Sequence, residues 1–337
     1  MKKSLFYYEL PAEFIAQKPL EKRDSSKLLL LDRKTGRTGH GFFYSLQNYL
    51  KNGDVLVVNE SRVMKCRLEG TKEKTGAKIE CFILKKLDDT SAEVLIKPSR
   101  KLDTGSRVNV GKYFFEITQK KPYGKATASF NGEVETVIGE CGMVPLPPYI
   151  KNRDISAERY QTVYAEKNGS AAAPTAGLHF TEATIASLKS RGVVFAKVSL
   201  DIGLDTFRPI VEDDIEDHVI HSENFHIDAN EAAKISEARK AGNRIIAVGT
   251  TSMRVIETVF DENGGISEYS GSTSLYIYPG YRFKIADALL TNFHLPYSTL
   301  LVMVSAFAGR ENILRAYEEA KAGNYRFFSF GDCMFIY

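Results

Sequence analysis

The sequence predicts an α/β fold: a large mixed-sheet domain carrying a small inserted antiparallel β-domain. Three observations predict it. Gly53 to Asn59 (GDVLVVN) is a short, continuously apolar run of the kind that forms a buried strand. From Val63 to Phe130, short β-type runs are separated by Gly, Asp and Lys turns, the spacing of a small barrel or sandwich. Beyond Pro145-Leu146-Pro147-Pro148, strand and helix patterns alternate, which calls for a parallel or mixed sheet with helices on its faces.

Each element follows in order. The inserted runs are Ile79 to Leu84, Ala92 to Ile96, Arg107 to Val110, Tyr113 to Ile117 and Ala126 to Phe130. Proline restricts itself and the residue before it, so the cluster at 145–148 reads as a stiff connector and a boundary. Residues 1–61 and 151–337 are then the α/β domain, and 62–150 the insertion. Thr181 is placed to cap a helix over Glu182 to Ser190 that stops at Gly192, and Val193 to Leu200 follows as a strand. Asp228 with Glu231 forms an Asp variant of a capping box for a helix ending near Gly242. Ile245 to Val248 is a buried strand, with Thr250 or Thr251 capping a helix from Ser252 to Val259. Strands near Leu275 to Ile277 and Ala286 to Leu290 come next. Helices over Ser298 to Ala308 and Glu311 to Ala322 precede a last strand at Met334 to Ile336.

Composition narrows the class. Of 337 residues, 43% are hydrophobic and 26% charged, an ordinary globular balance. The longest apolar runs, such as Val55 to Val58 and Leu300 to Val304, are far too short to span a bilayer, so no membrane is expected. Tyr7, Tyr8, Glu9 and Pro11 stand where an export signal would be apolar. Cys66, Cys81, Cys141 and Cys333 are scattered without a CxxC pair, which fits a reducing cytoplasm and offers no structural zinc site. The net charge is only +3, but it is unevenly spread: Ile96 to Lys125 holds eight Lys and Arg against two Asp and Glu. Such a stretch attracts a polyanion such as RNA, and Lys97, Arg100 and Lys101 are the candidate contacts; a solvated lysine-rich face is the plain alternative.

Five segments carry possible chemistry. In Ala171 to Thr181 (AAAPTAGLHFT), small residues around Thr175 admit close backbone approach, Gly177 permits unusual dihedrals, and His179 precedes a helix start that could hold an anion. In Val248 to Arg254 (VGTTSMR), a buried strand opens into a helix. Gly249, Thr250, Thr251 and Ser252 offer hydroxyl and N–H groups, and Arg254 could grip a carboxylate or phosphate. This is neither GxGxxG nor a P-loop. Asp217 to Glu223 (DHVIHSE) places His218, His221 and Glu223 close together, without a zinc-binding pattern; a hydrogen-bonding or acid/base role suits them, and no metal is expected. Asn292 and His294 in TNFHLP could read a base edge or a ribose hydroxyl. In Tyr325 to Asp332 (YRFFSFGD), aromatic residues could stack or pack, and Asp332 could meet a cation.

Taken in order, these segments resemble the S-adenosylmethionine:tRNA ribosyltransferase-isomerase family of queuosine biosynthesis. The likeness also takes in Leu10-Pro11, Ile15-Ala16-Gln17, Met143 to Tyr149 (MVPLPPY), Tyr160 to Ala165 (YQTVYA), Ile277 to Gly280 (IYPG) and Asp287 to Pro296 (DALLTNFHLP), nearly the whole chain. It implies an α/β domain interrupted by a small β-barrel. It also implies transfer and isomerisation of the ribosyl part of S-adenosylmethionine onto the aminomethyl group of a 7-deazaguanine in tRNA. The products would be epoxyqueuosine, adenine and methionine. S-adenosylmethionine is then a consumed co-substrate, with no prosthetic group, and the enzyme a cytoplasmic monomer. The sulfonium acidifies its neighbouring carbon, so a base among His179, His221 and His294 is expected. Arg254 and the Thr250–Ser252 helix start would take the methionine carboxylate, and Glu223 or Asp332 the aminomethyl cation. The chain departs from the family's His-Val-Gly-x-Gly-Thr-Phe at Asp201 and Asp205, and Ser272 and Ser274 stand where Trp or Asp is frequent. A non-catalytic tRNA-binding paralogue and an S-adenosylmethionine-dependent tRNA methyltransferase are the competing readings.

Overall fold

A strand that is apolar on both faces must be covered on both, and the run after Gly53 is built that way. In the computed structural model, which describes residues 1–152, 154–203, 209–261 and 265–337, contacts divide the chain into two units. One comprises Met1–Arg62 with Leu146–Tyr337, the other Val63–Pro145. The first unit opens with β1 (Lys27–Leu31), β2 (Thr38–Phe42) and β3 (Val55–Asn59), followed by the short β4 (Ser61–Val63).

The second unit is a closed antiparallel barrel of β5 (Arg67–Lys72), β6 (Lys78–Lys86), β7 (Ser91–Lys97), β8 (Arg107–Val110), β9 (Tyr113–Lys120) and β10 (Lys125–Phe130). Alternation fills its interior: Ala126, Ala128 and Phe130 of β10 point in, while the residues between them face out or partly out. Two elements escape a reading of pattern. β5 is half charged, and its Gly70 is there because a Cβ would press on the Asn109 carbonyl. The helix α1 (Val134–Cys141) is rich in Val, Thr and Ile, so tertiary packing overrides its β preference.

The first unit resumes with β11 (Lys167–Ser170), α2 (Glu182–Ser190), β12 (Val194–Leu200), β13 (Glu223–Ile227), α3 (Ala229–Lys240), β14 (Ile245–Val248) and α4 (Gly249–Val259). It ends with β15 (Tyr269–Thr273), β16 (Ala288–Asn292), α5 (Thr299–Ala308), α6 (Arg310–Ala322) and β17 (Cys333–Ile336). Nine of its strands make one mixed sheet in the order β15-β13-β12-β3-β14-β16-β17-β1-β2. Alternate residues serve two cores: Val55 and Val57 join one with Met253, Ile235 and Leu301, and Leu56 and Val58 the other with Phe43, Phe180 and Leu188. Among the described residues, no helix is long and apolar enough to cross a membrane.

Two local expectations change. The strand expected at Leu275 to Ile277 lies earlier, at β15, whose polar edge residues gave no apolar signal; Ile277 is instead buried in the core outside any strand. The Asp228 capping box does not form. Asp228 binds His226 and Lys167, and Glu231 accepts the Lys197 N–H at 2.8 Å. Thr181 does cap α2, accepting from Thr184 at 3.0 Å.

Candidate active site

β12, β3, β14 and β16 run parallel and adjacent, so their carboxyl ends share one edge of the sheet. That edge is where open α/β sheets bind ligands. A pocket opens there. It brings together Thr175, Gly249, Thr250, Thr251, Asn292 and His294 from separate positions along the chain. Tyr149, Ala173, Ile202, Phe293, Phe328 and Ser329 complete most of the wall, which is largely apolar.

β14 passes into α4 with no loop between them. Gly249 makes the turn at φ +87°, a conformation side chains resist. The helix therefore begins before Ser252, and Thr250 and Thr251 do not cap it; their hydroxyls sit inside its first turn. The N-cap position is Val248, whose side chain cannot cap. Ser252 is fully buried and its Oγ has no hydrogen-bond partner. Asn59 holds the neighbouring strand ends together. Its amide donates to the Leu200 carbonyl at 3.1 Å, and its carbonyl accepts the Leu200 N–H at 3.1 Å.

Asn292 closes β16. It donates to the Phe328 carbonyl at 2.9 Å, while its Oδ1 is buried without a partner. Phe328 holds φ +71°, a costly conformation for an aromatic residue, and it packs against Tyr149. His294 is anchored at both main-chain atoms, its N–H donating to the Tyr317 hydroxyl and its carbonyl accepting from Tyr8. Its Nε2 lies 2.9 Å from Thr291 Oγ1. Burial pushes this imidazole down to about 3.

His179 ends the single turn Thr175–His179. It stacks on Phe43 and meets the buried Ser26 hydroxyl through Nδ1 at 2.8 Å. Burial lowers it to about 4; the Asn292 side chain pulls the other way, and Arg326 and Arg23 add to the lowering. His179 lines a second, smaller cleft beside the pocket, with Ser329 common to both. Gly177 does not take a positive φ as expected. It is glycine because a Cβ would collide with the Tyr164 hydroxyl.

Several expected partners are engaged elsewhere. Arg254 and Glu223 form a buried ion pair with each other. Arg254 also donates to the Leu275 carbonyl at 3.0 Å and the Thr273 carbonyl at 3.1 Å, and Glu223 accepts the Gly203 N–H at 2.9 Å. Neither lines the pocket, so the carboxylate clamp and the cation site expected of them are corrected: two buried charges satisfy one another. Asp332 likewise accepts the Lys27 and Arg326 N–H groups at 2.9 and 2.8 Å, and burial raises its carboxyl. His221 is exposed, on an irregular segment before β13, and does not line the pocket, so the catalytic role expected of it finds no place there. His218 meets Glu212 at 2.8 Å. Among the described residues, no three His, Cys, Asp or Glu side chains gather as metal ligands would. Asp201 is half-buried over Gly169, and burial and Glu223 raise its carboxyl; Asp205 lies outside the described residues. On the barrel unit, Lys97, Arg100 and Lys101 are exposed, with Lys97 Nζ 5.3 Å from the Phe82 ring.

The residues unforeseen as site components are Tyr149, Ile202, Phe328, Ser329 and Ser26. Tyr149 and Phe328 sit in MVPLPPY and YRFFSFGD, but their aromatic character reads equally well as core.

The sequence matches the family described as queuosine biosynthesis protein over residues 3–336. It is 50% identical over 340 residues to the S-adenosylmethionine:tRNA ribosyltransferase-isomerase of Thermoanaerobacter sp. (strain X514), covering 100% of both chains. It is 51% identical over 341 residues to the protein of that name from Caldanaerobacter subterraneus subsp. tengcongensis, again over 100% of both. The crystal structure of S-adenosylmethionine tRNA ribosyltransferase from Thermotoga maritima is similar with a TM-score of 0.58 and 36% identity, covering 99% of this chain and 100% of that one.

Proposed function

Because the chain belongs to the queuosine biosynthesis protein family, we infer that it is an S-adenosylmethionine:tRNA ribosyltransferase-isomerase. It transfers and isomerises the ribosyl moiety of S-adenosylmethionine onto the aminomethyl group of 7-aminomethyl-7-deazaguanine in tRNA. Epoxyqueuosine, adenine and methionine result. The observation that carries this is the extent of the likeness: half the positions agree across the whole of both chains, a span that includes every segment lining the pocket. We place the reaction in the cytoplasm and in a monomer.

The pocket suits the two substrates' polar ends differently. The first turn of α4, with Thr250 and Thr251 in the pocket wall, favours the methionyl carboxylate, since helix-start N–H groups and the helix dipole both stabilise an anion. Thr175 and the Gly249 turn allow backbone to approach closely. Asn292, in the pocket wall at the end of β16, is placed for the edge of a base. His294 and His179 are neutral at pH 7. A general base works best with a pKa near the operating pH, so hydrogen bonding fits these two imidazoles better than proton abstraction.

Incubation with S-adenosylmethionine and precursor tRNA tests the reading. Free adenine in step with ribosyl incorporation is expected. S-adenosylhomocysteine would mark a methyltransferase instead, and no small-molecule product a non-catalytic paralogue; either overturns it.

A further inference from the structure

Arg23, Arg159 and Arg326 are among the residues that line the smaller cleft. Their hydrogen bonds go to main-chain carbonyls. Arg23 donates to Gln161 at 2.8 Å, Leu178 at 3.3 Å and Glu158 at 2.8 Å. Arg159 donates to Glu21 at 3.1 Å and to Leu20, and Arg326 to Lys18 at 3.2 Å. Carbonyls fix the direction of a guanidinium without neutralising its charge. The nearby carboxylates are committed to other groups: Glu158 to Arg62 at 2.8 Å, and Asp24 to Thr181 and Thr184. Asp332 is held by two main-chain N–H groups and stays 3.8 Å from Arg326. Among the described residues, Arg23 and Arg159 have no carboxylate within 4.0 Å.

Two buried nitrogen atoms at this cleft, Arg159 Nε and His179 Nε2, have no hydrogen-bond partner. Burial above all, and then Arg159, disfavours the charged form of Arg23, against the pull of Glu158; burial, with smaller contributions from Arg326 and Arg23, disfavours that of His179, against the Asn292 side chain. Leu20, Leu178 and Phe330 add apolar wall, which strengthens any charge interaction made inside. A chain that pairs Arg254 fully and Arg326 loosely with Asp332, yet leaves Arg23 and Arg159 without a carboxylate, has built a site for an anion it does not itself supply.

We propose that Arg23, Arg159, Arg326 and His179 form an oxyanion cleft that grips a substrate beside the pocket, its occupant a phosphodiester of the RNA next to the modified nucleotide. This rests on the function inferred above. The shared wall at Ser329 puts the phosphate and the reacting base within one nucleotide's reach, and the methionyl carboxylate, the other oxyanion available, has α4 to meet it.

The test uses the full-length enzyme, S-adenosylmethionine and precursor tRNA. Adenine release by the wild type first establishes the reaction separately. Arg159→Gln and Arg326→Gln should each raise the KM for tRNA about tenfold, with kcat falling less than threefold. Each should lower the slope of log affinity against log salt by about 0.7, the value of one neutralised single-strand phosphate. Arg159→Lys, which keeps the charge and loses the fork, should fall between. As a check that needs no variant to fold, methylphosphonates scanned through the linkages flanking the target nucleotide should reveal one position that weakens binding to wild type. A rise confined to the KM for S-adenosylmethionine would keep the oxyanion cleft and overturn its RNA occupant. Unchanged KM values for both substrates, with no sensitive linkage, would overturn the cleft itself.

Discussion

Four arginines stand near this site in two different conditions. Arg254 is 7% exposed and spends its guanidinium on Glu223 and two carbonyls. Arg23, Arg159 and Arg326 are half-buried, and Asp332 at 3.8 Å from Arg326 is the nearest they come to a carboxylate. The contrast teaches how to tell scaffold from recognition: a charge the protein has already satisfied cannot be offered to a ligand without leaving its partner stranded. Arg254 braces β13 and the β15 end against α4, and so supports the pocket from behind. Arg326 spends part of its charge on Asp332, and Arg23 and Arg159 keep theirs unpaired among the described residues.

The largest effect that would sharpen this difference is expected on stability. Arg254→Met leaves the buried Glu223 carboxylate without its ion pair, and should cost about 3–5 kcal/mol in urea unfolding. Adding Glu223→Gln should recover part of that loss. A cost below about 1 kcal/mol would erase the distinction between the two kinds of arginine.

Acid should act next, through the neutral histidines. Both sit below their ordinary 6.5, His294 at about 3 and His179 at about 4. Between those values and 6.5 the unfolded chain binds more protons than the folded one. Stability is therefore present above pH 6.5 and is lost as pH falls through the window toward 4 and 3. At pH 4.5 the loss is about 2–3 kcal/mol per histidine at most, taking 1.36 kcal/mol per unit. The fall in melting temperature from pH 7.5 to 4.5 should be visibly smaller in His294→Gln. An equal fall would mean that carboxylates alone govern acid lability.

The smallest effect is expected from charges that are neither buried nor gathered. Replacing Lys97, Arg100 and Lys101 together by Ala should weaken tRNA binding and lower its salt slope by up to about 0.7 for each phosphate no longer neutralised, with little change in melting temperature. Unchanged affinity would return that stretch of the barrel unit to a solvated face.

Much of the pocket was legible before folding, because it is made of strand ends, and strand ends leave a local signature. Val248 to Thr251 and Thr291 to His294 both read as a buried apolar run breaking into polar residues before a helix, and Gly249 to Thr251 and Thr291 to His294 line the pocket. The roles of single charged residues were not legible. Glu223 and Arg254 are 31 positions apart, and nothing in either neighbourhood says that they meet. Gly177 shows the same limit in another form. Its smallness was evident, but the reason is the Tyr164 hydroxyl, not a dihedral angle.

What the sequence determined by itself was everything that short-range periodicity encodes: the strands apolar on both faces, the capped helix after Thr181, the run of barrel strands, and the ordered motifs that carry the family likeness. What only the tertiary structure decided was which buried polar groups satisfy one another and which are left over. His179 and Ser26, 153 positions apart, are joined by it, Arg254 is taken out of the ligand site, and Arg23, Arg159 and Arg326 are brought to one cleft. The reason is physical: burial makes an unpaired polar group costly, so partners are chosen by proximity in the packed chain, and that proximity is set by sheet order and register rather than by spacing along the sequence.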